Sequence, residues 1–121
     1  MYPTLGNIIL HATTQGDLEL IKGIINQGFN IFTMIDKVFI VALHNHHFHI
    51  VDWLFADYNI DSPLIQTLIQ AAADHTTKYN NLEGLKYIVD NYGAIEYINL
   101  KLLGKALHYN SNKIINYILK F

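Results

Sequence analysis

A chain of 121 residues, about half of them hydrophobic, carries enough apolar material for one compact domain or a short repeat array, which argues against disorder as its main state. Its formal charge of −2, with eight lysines and no arginine, supplies neither the positive field of a non-specific nucleic-acid binder nor the guanidinium forks that grip phosphate and guanine, so no nucleic-acid partner is expected. Without cysteine there is no disulfide framework and no thiolate metal site, which suits a cytoplasmic protein. No stretch reaches the roughly eighteen apolar residues of a membrane span, and the start lacks the charged and apolar segments of a signal peptide, so no membrane association is expected.

Taken in chain order, the sequence reads as helices in pairs. Pro3 stands where a first helix would begin, and the pattern predicts a helix over 5–14. Gly16-Asp17 breaks it and caps a second helix over 17–27, in which Leu18, Ile21, Ile24 and Ile25 recur on one face. Helices over 36–45 and 47–57 follow, separated by the polar run Asn45-His46-His47. Pro63 opens a helix over 63–75, and Asn80-Asn81 precedes one over 81–91, with Asn80 and Glu83 spaced as a capping box. The last pair is expected over 99–109 and 111–120.

These pairs repeat. At a shift of 64, Ala42-Leu43-His44 falls on Ala106-Leu107-His108, Ile50-Val51 on Ile114-Ile115, and Leu18-Glu19 on Leu82-Glu83. At a shift of 30, Ala12 meets Ala42, Leu18 meets Phe48, Ile21 meets Val51, and Ile24-Ile25 meets Leu54-Phe55. The elementary unit is therefore about 30 to 34 residues long, and the chain divides into units of about 1–33, 34–61, 62–96 and 97–121. The fold class is all-α, arranged as a short α-solenoid of helix-turn-helix repeats forming a single domain.

The stretch over 7–31, NIILHATTQGDLELIKGIINQGFNI, resembles an ankyrin repeat. Ala12 takes a small position of that pattern, Gly16 its glycine, Leu18-Glu19 its Leu-Glu pair, Ile24-Ile25 its paired aliphatics, and Gly28 with Asn30-Ile31 its closing turn. The segment NNLEGLKYIVDNYGA is similar to the same half-repeat, and HHFHIVDWLFADYNID less so, with His47 on the family's histidine. The resemblance spans nearly the whole chain but is strong only in the first and third units. No unit keeps an intact TPLH tetrapeptide, the second and fourth lack the inter-helix glycine, and HTTKYNN adds residues to the third. Hydrophobic linkers such as IFTMIDKV replace the Asp-Gly tips, so tight turns are expected in place of projecting β-fingers. A tetratricopeptide array is the main competitor, and its Trp-Leu-Gly-Tyr and Ala-Phe-Pro spacings are absent.

Stacked hairpins leave an extended concave surface, so the resemblance implies a non-catalytic protein–protein interaction module and no cofactor. Large turn aromatics are the candidate partner contacts: Phe29, Phe32, Tyr58, Tyr79, Tyr92 and Tyr97. Phe29 is expected to be the most exposed, because the family has a small alanine there; the competing role for each is packing on the next hairpin. The richness in Ile, Asn, Tyr and Lys points to an A/T-rich coding sequence, as in large DNA viruses and several intracellular bacteria and protists; together with the degenerate repeats it motivates the expectation of an effector of a virus or intracellular microbe acting on a host protein in the host cytoplasm.

The alternative function is metal binding by His44, His46, His47 and His49, which straddle an expected turn and have only Asp52 as a nearby acid. Another is a self-associating subunit, a homo-oligomer joined through the C-terminal repeat, where Ile114, Ile115, Ile118 and Leu119 stand beside a polar stripe of Asn112, Lys113, Asn116 and Lys120. No catalytic residue is assigned. The two serines, Ser62 and Ser111, sit in no nucleophile elbow, Gly104-Lys105 follows no glycine-rich run and reads as a helix–helix contact, and His11, His75 and His108 read as structural bonds at the ends of first helices.

Overall fold

The computed structural model describes residues 4–121, and among these the regular structure is entirely helical. Pro3, expected at the start of the first helix, lies outside the described residues. The eight α-helices are α1 (Leu5–Gln15), α2 (Leu18–Asn26), α3 (Ile35–His44), α4 (Phe48–Asp57), α5 (Ser62–Lys78), α6 (Leu82–Tyr92), α7 (Leu100–His108) and α8 (Asn112–Ile118). Single 3-10 turns over Ile31–Thr33 and Ala94–Tyr97 lie between α2 and α3 and between α6 and α7.

The chain divides into two compact units, one ending at Asn59 and the other running from Ile60 to Phe121. In the first, α1 packs on α2, α3 on α4, and the two hairpins meet through α1 and α3. In the second, α5 packs on α6 and α7 on α8, with α5 against α7 and α6 against α8. Each core takes small and large apolar residues from the first helices and aliphatics from the second helices. Ala12, Ala42, Ile21, Val51 and Leu54 are all but fully buried in the first unit, as are Ala72, Ala106, Leu85, Ile88 and Ile114 in the second. Phe39 is the largest fully buried side chain, and its ring meets that of Phe55 edge-on at 5.6 Å.

One turn is built four times. Gly16, His46, Asn80 and Asn110 all take positive φ, at 75°, 61°, 53° and 55°. The residue after each sends its backbone N–H to a carbonyl five residues earlier: Asp17 to Ala12 at 2.8 Å, His47 to Ala42 at 2.8 Å, Asn81 to Thr76 at 2.8 Å, and Ser111 to Ala106 at 2.9 Å. This closure satisfies an orphan carbonyl at the end of each first helix and delivers the next residue as N-cap of the second helix. The positive-φ residues are spaced by 30, 34 and 30, the same intervals found as sequence self-similarity. Conformations that only glycine adopts freely are thus filled once by glycine, twice by asparagine and once by histidine.

Two local expectations are corrected. Asn80 is not the cap of α6: it takes the left-handed conformation that closes α5, so the cap moves one residue on to Asn81, whose Oδ1 accepts from the Gly84 N–H at 3.0 Å. The expected pairing of Asn80 with Glu83 is displaced with it. The extra residues of HTTKYNN form no loop either, but extend α5 to Lys78. Thr76 and Thr77 are fully buried there and donate their hydroxyls to the Ala72 and Ala73 carbonyls at 2.9 and 2.8 Å, so the added length is absorbed as about one more helical turn. Pro63 lies in the first turn of α5 as expected, behind an Asp61 cap that accepts from Leu64 N–H at 2.9 Å.

Candidate functional site

Polar side chains tie neighbouring hairpins together at the repeated turn. In the first unit His47 donates from Nε2 to the Thr14 carbonyl and His49 from Nε2 to the Gly16 carbonyl, both at 2.9 Å. In the second, the Ser111 hydroxyl donates to the Thr77 carbonyl, and Lys113 N–H donates to Asn80 Oδ1 at 3.2 Å. Positions 47 and 49 thus do for the first unit what 111 and 113 do for the second, sixty-four residues on. The histidine run serves as a brace between turns. His47 and His49 lie together, 5.8 Å between ring centres, with both Nε2 atoms committed to carbonyls, while His46 adjoins Phe48. Among the described residues no group of three His, Asp or Glu side chains is placed to hold a metal ion.

The candidate aromatics fall on different surfaces. In the first unit Phe32 is 45% exposed and its ring meets Tyr58 edge-on at 5.4 Å; Tyr58 in turn meets the nearly buried Trp53 at 5.4 Å. Phe32 rides on the 3-10 turn, where Asn30 Oδ1 accepts its N–H at 3.0 Å and the Thr33 hydroxyl donates to the Asn30 carbonyl at 2.8 Å. Phe29, expected to be the most exposed of the six candidates, is half-buried; Tyr79 is the most exposed of them and Phe32 the next. Beside Trp53 and Tyr58 lies a hollow of about 350 Å³, walled also by Lys22, Ile25 and Asp57. Burial, and next the adjacent Asp57 carboxylate, push the Tyr58 phenol above its ordinary pKa, so it stays neutral and able to donate a hydrogen bond.

In the second unit Tyr79 is 52% exposed, while Tyr92 and Tyr97 are half-buried. Burial and then Glu96 raise the Tyr97 phenol in the same sense. The structure therefore brings Phe32 and Tyr58 of the six candidates into one cluster, with Trp53 added to it. At the C-terminal end Asn112, Lys113, Asn116 and Lys120 are all exposed, and so are Leu119 and Phe121, while Ile114 and Ile118 are buried.

A larger hollow, about 690 Å³, opens between α5 and α7. Ala71, Asp74, His75 and Lys78 line it from α5; Lys101, Gly104, Lys105 and His108 line it from α7, with Tyr109 beyond. Both sets follow the i, i+3, i+4, i+7 spacing of one helical face, and the second set lies thirty residues after the first. Gly104 is not a helix–helix contact: a Cβ there would meet nothing within 4 Å, so the missing side chain leaves the hollow open. His75 and His108 line this hollow, the His75 ring 4.6 Å from that of Tyr79 and the His108 ring meeting Tyr109 edge-on at 4.9 Å. Extending the thirty-residue register from apolar to polar positions would have exposed this site in the sequence.

No family model matches the chain, and neither curated proteins nor solved structures gave a match. Among the described residues no helix is long and apolar enough to cross a membrane.

Proposed function

We propose that the protein is a non-catalytic interaction module in which each unit is a two-repeat stack of ankyrin-like hairpins, and that it binds another protein through side chains its scaffold leaves outside. Support for the repeat assignment comes from the turn closed four times at intervals of 30, 34 and 30, and from the equivalent braces at His47 and Ser111.

The observation that carries the binding reading is the aromatic edge of Phe32 and Tyr58. Phe32 holds a large apolar ring in water on a hydrogen-bonded turn, stacked on a Tyr58 that is itself fixed against Trp53. Such a ring gives up little conformational freedom on binding, which is what makes aromatics the dominant contacts of protein interfaces. Affinity capture with quantitative mass spectrometry, comparing wild type with Phe32→Ala, tests this directly. A protein retained by wild type and lost from the variant is expected, since an aromatic anchor contributes on the order of 2 kcal/mol or more. Equal capture by both, with unchanged circular dichroism, would remove the aromatic edge from the account.

A further inference from the structure

We infer that the hollow between α5 and α7 is a docking groove for an extended acidic peptide segment; this deepens the interaction reading by naming the chemistry of a partner at a second surface. The chain carries a net charge of −2, yet three of its eight lysines, Lys78, Lys101 and Lys105, open onto this one hollow. Its only acidic wall is Asp74, which lies 2.7 Å from Lys105 Nζ with both side chains about a third exposed. That pair answers one charge and leaves two. Lys78 Nζ stands 5.5 Å from the centre of the Tyr79 ring and 6.0 Å from that of Tyr109, contacts that orient an ammonium without neutralising it.

The scaffold does not require this charge. The same repeat positions of α1 and α3 in the first unit are Asn7, Leu10, His11 and Thr14, and Lys37, Ile40, Val41 and His44, with a single lysine among them. Two units of like construction thus differ in charge on the corresponding face, and the difference is specific to the α5–α7 hollow.

Charge selects the occupant. Lys78 on α5 and Lys101 on α7 open onto the hollow, and the carboxylate in its wall, Asp74, is engaged by Lys105, so two acidic side chains on an extended segment would answer the two remaining charges. The lining face of each helix, about 10 Å long, admits roughly three extended residues. Gly104 presents no side chain that would obstruct such a segment. The absence of arginine disfavours a phosphate backbone in the same place, because lysine offers a point charge where phosphate recognition gains most from a bidentate fork.

Fluorescence anisotropy with the full chain and a labelled peptide containing Glu-Leu-Glu tests the proposal, beside its Gln-Leu-Gln counterpart and a short single-stranded oligonucleotide. The expected result is saturable binding of the acidic peptide that weakens with salt and falls about tenfold or more in both Lys101→Glu and Gly104→Leu. Lys101 and Gly104 are exposed, so these variants are expected to keep the wild-type helical spectrum. Phe32→Ala should bind the acidic peptide as wild type does, which separates this groove from the aromatic edge. Equal affinity for the glutamine peptide, tighter binding of the oligonucleotide, no binding at all, or indifference to both groove variants would overturn the proposal while leaving the capture experiment at Phe32 to decide the broader reading.

Discussion

Replacing Phe39 with alanine is expected to lower the stability of the protein by about 3–5 kcal/mol, the range for truncating a buried aromatic ring. Phe39 is fully buried on α3 and stacks edge-on against Phe55 of α4. Both packing and area are therefore lost together, at a place where neighbouring helices are held by the closed turn at His46 and His47 and have little room to collapse. A chain of 121 residues has a total stability on the order of 6–18 kcal/mol, so the loss removes a substantial share of it. Urea denaturation followed by circular dichroism measures it; a change below about 1 kcal/mol would mean that Phe39 is not enclosed as described.

The second large effect is expected at Gly16. Alanine there must adopt a φ of 75°, which costs an L-residue about 1–2 kcal/mol. Its Cβ would also stand 2.7 Å from His47 Nδ1 and 2.8 Å from Cε1, so the imidazole must move and strain its bond to the Thr14 carbonyl. Overpacking of this kind costs about 1–3 kcal/mol, which brings the expected loss for Gly16→Ala to about 2–5 kcal/mol. The two causes can be separated by a double-mutant cycle. In a background already carrying His47→Ala the collision is gone and only the backbone cost remains, so Gly16→Ala should then cost about 1–2 kcal/mol. Identical costs in both backgrounds would show that the ring does not press on the turn.

Much of this architecture was legible because the apolar spacing and the repeat carry the same information twice. Leu18, Ile21 and Ile24 in α2 and Leu82, Leu85 and Ile88 in α6 mark one buried face each, and a shift of 64 superposes them. Helix ends were harder to read. Asn80 and Asn81 are chemically identical as caps, and only the need for a left-handed residue to close α5 assigns the cap to the second of them. Thr76 and Thr77 suggest a break by propensity, but buried hydroxyls bonded to carbonyls one turn back keep them helical.

The surfaces were less legible than the core. The histidine run drew attention as a ligand set, yet the role of His47 and His49 depends on carbonyls thirty-three residues earlier that no local pattern reveals. Conversely, Lys78, Lys101 and Lys105 are scattered in sequence, and only the thirty-residue register applied to polar positions anticipates their convergence between α5 and α7. Phe32 and Tyr58 were visible as turn aromatics, but their stacking on each other and on Trp53 required the turn geometry.

Everything proposed for the surfaces depends on four equivalent turns closing four helical hairpins, and amide hydrogen exchange observed by NMR tests that most directly. The N–H groups of Asp17, His47, Asn81 and Ser111 each bond a buried residue's carbonyl at 2.8–2.9 Å, so all four are predicted to exchange as slowly as amides inside the helices they join. Exchange of these four amides at the rate of an unstructured peptide would contradict the shared turn, and with it the hairpin register from which both binding surfaces are derived.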